Sequence, residues 1–195
     1  MADTGVLNFQ TQTNGGWDST TSGFGATGTL LADDNGYTAA ASNTTVAYIE
    51  DSSGADVPSG ATVNGMEVYC TDCGYYSAFA GASLQVEVSI DGGSNYGSTA
   101  LSEALTGVAS LTPTTDFTLG ANNQLWGISW GTSGIDVSDL KLKLTNVRSG
   151  FGLSHFDYIS AKIYYTEAVT VTSSIPTMKI KSGKLTLMGG KLTIK

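Results

Sequence analysis

The chain is 195 residues long, enough for one domain to bury about 70% of the surface its unfolded form exposes, so a core can form without staples. Only 13% of the residues are charged, 25 are glycine and three are proline, and short Val, Ile, Leu and Tyr runs separated by Thr, Ser, Ala and Asn suit pleated strands and turns rather than helices. No Lys or Arg precedes Lys141, against fifteen Asp and Glu, while nine basic residues from Lys141 onward face only Asp157 and Glu167; so acidic a body repels phosphate backbones and anionic lipid, which argues against nucleic acid and membrane as partners.

Taken in chain order, Met1-Ala2-Asp3-Thr4-Gly5 has no basic region, apolar region or cleavage site of a signal peptide, and no apolar run is long enough to cross a bilayer. Nine strands are predicted, over residues 26–31, 37–41, 45–50, 62–70, 83–90, 98–104, 116–119, 140–147 and 156–165. Asp33-Asp34-Asn35-Gly36 makes the reversal before Tyr37, because Asp, Asn and Gly tolerate positive φ. Asp33, Asp34, Asn35 and Glu50-Asp51 carry oxygens suited to calcium, but EF-hand spacing is absent and turn formation already explains the first cluster, so no metal site is expected. Pro58-Ser59-Gly60 turns the chain into the fourth strand, at whose end Cys70-Thr71-Asp72-Cys73 places two cysteines. A zinc site wants four ligands, and a second pair is missing; two reduced thiols are expected, with a local disulfide or a metal shared between subunits as the alternatives.

Leu84, Val86, Val88 and Ile90 alternate with Gln85, Glu87 and Ser89, a half-buried strand ended by Asp91-Gly92-Gly93. In Leu125-Trp126-Gly127-Ile128-Ser129-Trp130, the two tryptophans either plug the end of a sandwich or, with Tyr75, Tyr76 and Tyr96, form a sugar-stacking platform; packing is the stronger reading. The last strand sets Ile159, Ala161, Ile163 and Tyr165 on one face and Ser160, Lys162 and Tyr164 on the other, closing the body at Glu167. The whole reads as an all-β body over 1–167 followed by a linker and basic arm over 168–195.

In that arm, Lys184-Leu185-Thr186-Leu187 returns seven residues later as Lys191-Leu192-Thr193-Ile194. Each unit is a one-sided strand, with Lys179-Ile180-Lys181 as a possible third. Burying Ile180, Leu185, Leu187, Leu192 and Ile194 yields less than ordering the segment costs, and an isolated hairpin is marginal in water. The arm, with Lys184 and Lys191 on its polar face, is therefore expected to add its strands to another surface: its own body, a symmetry mate or another protein.

Catalytic chemistry finds little support. His155 is the sole histidine, no Gly-x-Ser-x-Gly elbow is present, and Glu87, Glu103, Asp136 and Asp139 qualify as a glycosidase pair by residue type alone. No cofactor and no enzymatic activity are expected.

Gly16-Trp17, Ala32-Asp33-Asp34-Asn35-Gly36-Tyr37-Thr38-Ala39, Val57-Pro58-Ser59-Gly60-Ala61-Thr62-Val63-Asn64-Gly65-Met66-Glu67-Val68, Leu125-Trp126-Gly127-Ile128-Ser129-Trp130 and the run from Phe156 to Thr166, in that order, resemble a family of jelly-roll-like sandwich domains. Such domains are found in tailed-phage and prophage structural proteins and in some bacterial surface proteins. The resemblance covers about residues 16–167 and leaves the arm aside. It implies an antiparallel jelly-roll-like β-sandwich, synthesis in a host cytoplasm and a place in a virion, as a capsid decoration, tail or fibre component. The implied partners are further copies of the chain, a trimer first, and other virion proteins such as the major capsid or tail protein. The alternative is a carbohydrate-binding or adhesin module that recognises glycan through Trp126 or Trp130.

Overall fold

The computed structural model describes residues 1–17, 30–34, 37–40, 43–76, 81–108, 115–149, 152–169, 179–181 and 184–186. Three short strands open the chain: β1 (Ala2–Asp3), β2 (Leu7–Asn8) and β3 (Thr11–Thr13). There follow β4 (Thr38–Ala40), β5 (Thr45–Glu50), β6 (Thr62–Tyr76), β7 (Ala82–Ser89), β8 (Leu101–Ala104), β9 (Gly107–Val108) and β10 (Thr115–Ala121). A 3-10 turn at Val137–Asp139 leads to β11 (Lys141–Arg148), β12 (Leu153–Phe156) and β13 (Tyr158–Thr166), and β14 (Lys179–Lys181) and β15 (Lys184–Thr186) lie in the arm. Among the described residues no helix is long and apolar enough to cross a membrane.

Two sheets form a β-sandwich. One runs β1-β13-β6-β12-β4, with β2 also on β13 and β9 and β10 also on β6; the other runs β3-β5-β11-β7-β8. Neighbours are antiparallel apart from the short β6–β9 pairing. Period-two patterning explains the core: Leu84, Val86 and Val88 of β7 and Leu142 and Leu144 of β11 are fully buried, as are Met66 and Val68 of β6 and Ile159, Ala161 and Ile163 of β13. Trp17 stacks on Phe156 with ring centroids 4.7 Å apart, tying the N-terminal segment to the larger sheet.

On the outer faces the same alternation produces cross-strand polar ladders. Lys141 and Lys143 of β11 pair with Glu50 of β5 and Glu87 of β7, each at 2.6 Å, so these two basic residues serve the acidic body as counterions. Across β6 and β13, the Tyr69 and Tyr164 hydroxyls both donate to Glu67 at 2.6 Å, and Lys162 Nζ lies about 6 Å from both rings.

Several expectations need correction. The fourth strand does not stop at residue 70 but runs on to Tyr76, so Cys70 and Cys73 lie inside β6, buried and unbridged, rather than at its end. The final strand is two: β12 pairs with β4 and β6, then the chain bends at Asp157 and β13 continues along β6. Ser89, assigned to the solvent face, is buried because its Oγ donates to Asp91 and accepts from the Gly93 N–H, closing the turn after β7. The strand over 98–104 shortens to β8, because 90–100 is spent in loop. The strand over 26–31 lies almost wholly outside the described residues, with Leu30 and Leu31 in a turn. In the arm, β14 and β15 pair with each other, Ile180 opposite Leu185, as a two-stranded sheet separate from the sandwich. Leu187, Lys191, Leu192 and Ile194 fall outside the described residues.

Candidate functional site

Three long connections meet at one end of the sandwich: 51–61 between β5 and β6, 90–100 between β7 and β8, and 122–140 between β10 and β11. Backbone hydrogen bonds lock them together. Val57 and Ile135 exchange N–H to O bonds of 3.1 and 3.0 Å, Gly60 N–H donates to Thr132 O at 2.8 Å, Gly92 N–H to Asp139 O at 2.9 Å, and Thr99 N–H to Trp126 O at 3.3 Å. Gly97 packs so closely on the Trp126 carbonyl and Ile128 that a Cβ there would collide with both. Loops tied this densely to one another present a preformed surface rather than one that must order on binding.

Between these loops lies an open groove of two adjoining depressions, about 670 Å³ and 350 Å³, which share Ile90 and Ser129. Apolar groups from Pro58, Ile90, Trp130 and Ile135 line the larger one, beside the hydroxyls of Ser59, Ser129 and Ser133. Asp56, Asp136 and Asp139 add three exposed residues bearing carboxylates, and Asp91, Asn95 and Tyr96 line the smaller depression. The Ser138 hydroxyl and N–H hold the Asp136 carboxyl below the usual carboxylate range, and Ser89 with Asn95 pulls Asp91 down to about 2. Both stay ionised at any physiological pH. Burial pushes the Tyr96 phenol up to about 12, so it remains a hydroxyl donor.

The two tryptophans do not offer stacking faces. Trp126 is fully buried, its indole N–H donating to Met66 O at 2.9 Å, and Trp130 is 6% exposed with its N–H on Leu125 O at 3.1 Å. Of the two readings of Trp126 and Trp130 the structure agrees with packing and not with the stacking platform: Trp126 is fully buried and Trp130 reaches the groove as part of its wall. Asp136 and Asp139 come to the groove as a pair, whereas Glu87 is bonded to Lys143 and Glu103 stands on β8. Of the arm residues, Ile180 stands on β14 and Lys184 and Leu185 on β15. Sequence reasoning overlooked Asp56, Asp91 and Ser129, because they sit in turns and become neighbours only when the three connections close.

A second constellation lies in the larger sheet. Asp72 of β6 has φ +47 opposite the register shift around Asp116 of β10, whose carboxylate accepts the Asp72 N–H at 2.9 Å; Asp157 stands between β12 and β13, and Asp33 in the segment before β4. Oxygens of Asp33, Asp72 and Asp157 lie within 4.8 Å of one another, an arrangement of hard oxygen donors that could hold a cation such as calcium. The turn reading of Asp33 missed this, since Asp72 and Asp157 are remote in sequence. Burial, then Asp116 and Asp33, raise the Asp72 pKa. The ionised form is thus disfavoured in the fold, a penalty present above the folded-state pKa and relieved as pH falls through it. Asp72→Asn, which tolerates the positive φ, is expected to raise stability by about 0.5–1 kcal/mol at pH 7 and to lose that gain in acid, read from urea midpoints. A variant that instead loses stability only when calcium is added would mark a held cation.

His155 is fully buried between β4 and β6, with neither ring nitrogen hydrogen-bonded among the described residues, and burial lowers its pKa to about 4. The one histidine is thus sealed away from any substrate.

No protein-family model and no curated protein matches the chain. Among solved structures it is similar to the carbohydrate-binding module TmCBM61 in complex with β-1,4-galactotriose, at 13% identity and a TM-score of 0.36, over 79% of this chain and 89% of that one. A likeness of that degree carries no information about what this chain binds.

Proposed function

We propose that this chain is a non-catalytic recognition module that binds saccharide in the groove at the loop end of its sandwich. The observation that carries this reading is the groove itself, where serine hydroxyls and ionised carboxylates stand beside apolar side chains on mutually bonded loops. A sugar ring presents the same mixture, hydroxyls at its edge and C–H groups on its faces, and a few placed polar groups beside an apolar wall are what orient such a ligand. On a glycan array, the intact chain is expected to bind a defined set of saccharides. Ser129→Phe, which fills the junction of the two depressions, should weaken the strongest signal at least about tenfold while leaving the circular dichroism spectrum unchanged. A chain that binds no glycan would contradict the reading.

A second reading concerns attachment. The β14–β15 hairpin, separate from both sheets, supports a virion structural protein, head decoration or tail appendage, held on the particle through its arm as a homo-oligomer. Deleting residues 177–195 should leave a folded body that no longer assembles or joins a particle; undiminished assembly would remove the arm from the mechanism.

A further inference from the structure

The groove's charge narrows the ligand class. Asp56, Asp136 and Asp139 line the larger depression and Asp91 the smaller, and among the described residues no Lys, Arg or His lines either. Lys143, whose Nζ lies 5.8 Å from the ring centroid of Tyr96 in the smaller depression, is bonded to Glu87, and Lys141 is bonded to Glu50. Asp56 and Asp136 accept the Val137 and Ser138 N–H groups, respectively, which fixes their positions, while Asp139 has no hydrogen-bond or ion-pair partner for its carboxylate among the described residues. Carboxylates therefore recur in both depressions of the groove, within a chain of net charge −8, and the lysine beside Tyr96 is itself neutralised by Glu87. An anionic sugar is repelled there, a neutral one gains hydrogen bonds alone, and an ammonium group gains attraction at each carboxylate it passes.

We propose that the groove selects an amine-bearing oligosaccharide, a chain of glucosamine-type units long enough to occupy both depressions across Ile90 and Ser129. This rests on the saccharide-binding reading above and specifies its ligand. Serine hydroxyls meet the ring hydroxyls, Ile90 and Trp130 meet the C–H faces, and the carboxylates meet the amines.

Titration calorimetry on the full chain at about pH 6, where sugar amines are protonated, tests this with three series of increasing length: glucosamine, N-acetylglucosamine and galacturonate oligomers. Glucosamine oligomers are expected to bind about tenfold tighter than their acetylated counterparts, the sum of several exposed charge contacts of modest individual strength. That preference should shrink severalfold at about 0.5 M salt, and affinity should climb with length until both depressions are filled. Asp139→Asn, a change on an exposed side chain, should cut the preference about threefold by weakening the glucosamine series more than the acetylated one. Equal affinity for the amine and acetylated series, or tighter binding of galacturonate, overturns the amine selectivity and leaves the saccharide reading standing. Failure of all three series, together with a silent glycan array, overturns both.

Discussion

Replacing Trp126 with alanine is expected to cost the whole domain about 3–5 kcal/mol, the range for truncating a buried aromatic, and to lower the urea midpoint accordingly. Trp126 is fully buried, bonded to Met66 O, and sits at φ +57 in the loop that carries the groove's Ser129 and Trp130. Its indole also lies against Gly120, where a Cβ would come within 3.0 Å of the ring. Removing it takes the support from beneath the groove, so any loss of saccharide binding should track the loss of folded protein. Trp126→Phe keeps most of the buried area and loses the hydrogen bond, leaving Met66 O short of a donor, and should cost about 1–2 kcal/mol. If Trp126→Ala instead abolished binding at unchanged stability, the residue would be a ligand contact and the packing assignment would be wrong.

The second large effect is an acid sensitivity seated in one side chain. His155 has a pKa near 4 in the fold against 6.5 for the free side chain, because burial disfavours the imidazolium. Between these values the unfolded chain binds more protons than the folded one. The contribution of neutral His155 is therefore complete above pH 6.5, declines as pH falls from 6.5 towards 4, and levels off below. That span corresponds to about 3 kcal/mol. His155→Leu is expected to flatten this part of the pH–stability profile and to be no less stable at pH 7, since two buried nitrogens without partners are removed. A profile in His155→Leu as steep as in the parent would place the acid sensitivity elsewhere, and not at Asp72, whose burial penalty is relieved in acid.

The sandwich was legible in the sequence wherever alternation runs for six or more residues. The strand over 45–50 matches β5, and the Leu84, Val86, Val88 run matches β7, because a half-buried strand must alternate and little else does. β1, β2 and β3 passed unseen, since two or three residues show no period; they are held by the burial of Leu7 and Phe9 and by pairing with β13 and β5. The break at Asp157 was hidden for a different reason: the alternation of β13 is clear, but the interruption falls beside the positive-φ Asp72 of the neighbouring strand, an alignment that exists only in three dimensions. The groove was half legible. Its turns announce themselves through Pro58-Ser59-Gly60 and Asp91-Gly92-Gly93, yet nothing in those motifs says that they close on one another. Trp126 and Trp130 drew notice through their size, which is also why the fold buries them.

Backbone amide chemical-shift mapping of the intact chain, titrated with the saccharide it binds most tightly, tests the central claim most directly. The account expects the largest shifts at Ile90, Ser129, Ser133 and Asp139, spreading to Asp91 and Tyr96 as the ligand lengthens. Shifts confined to the tyrosine face around Tyr69 and Tyr164, or to the arm at Ile180 and Leu185, would contradict it.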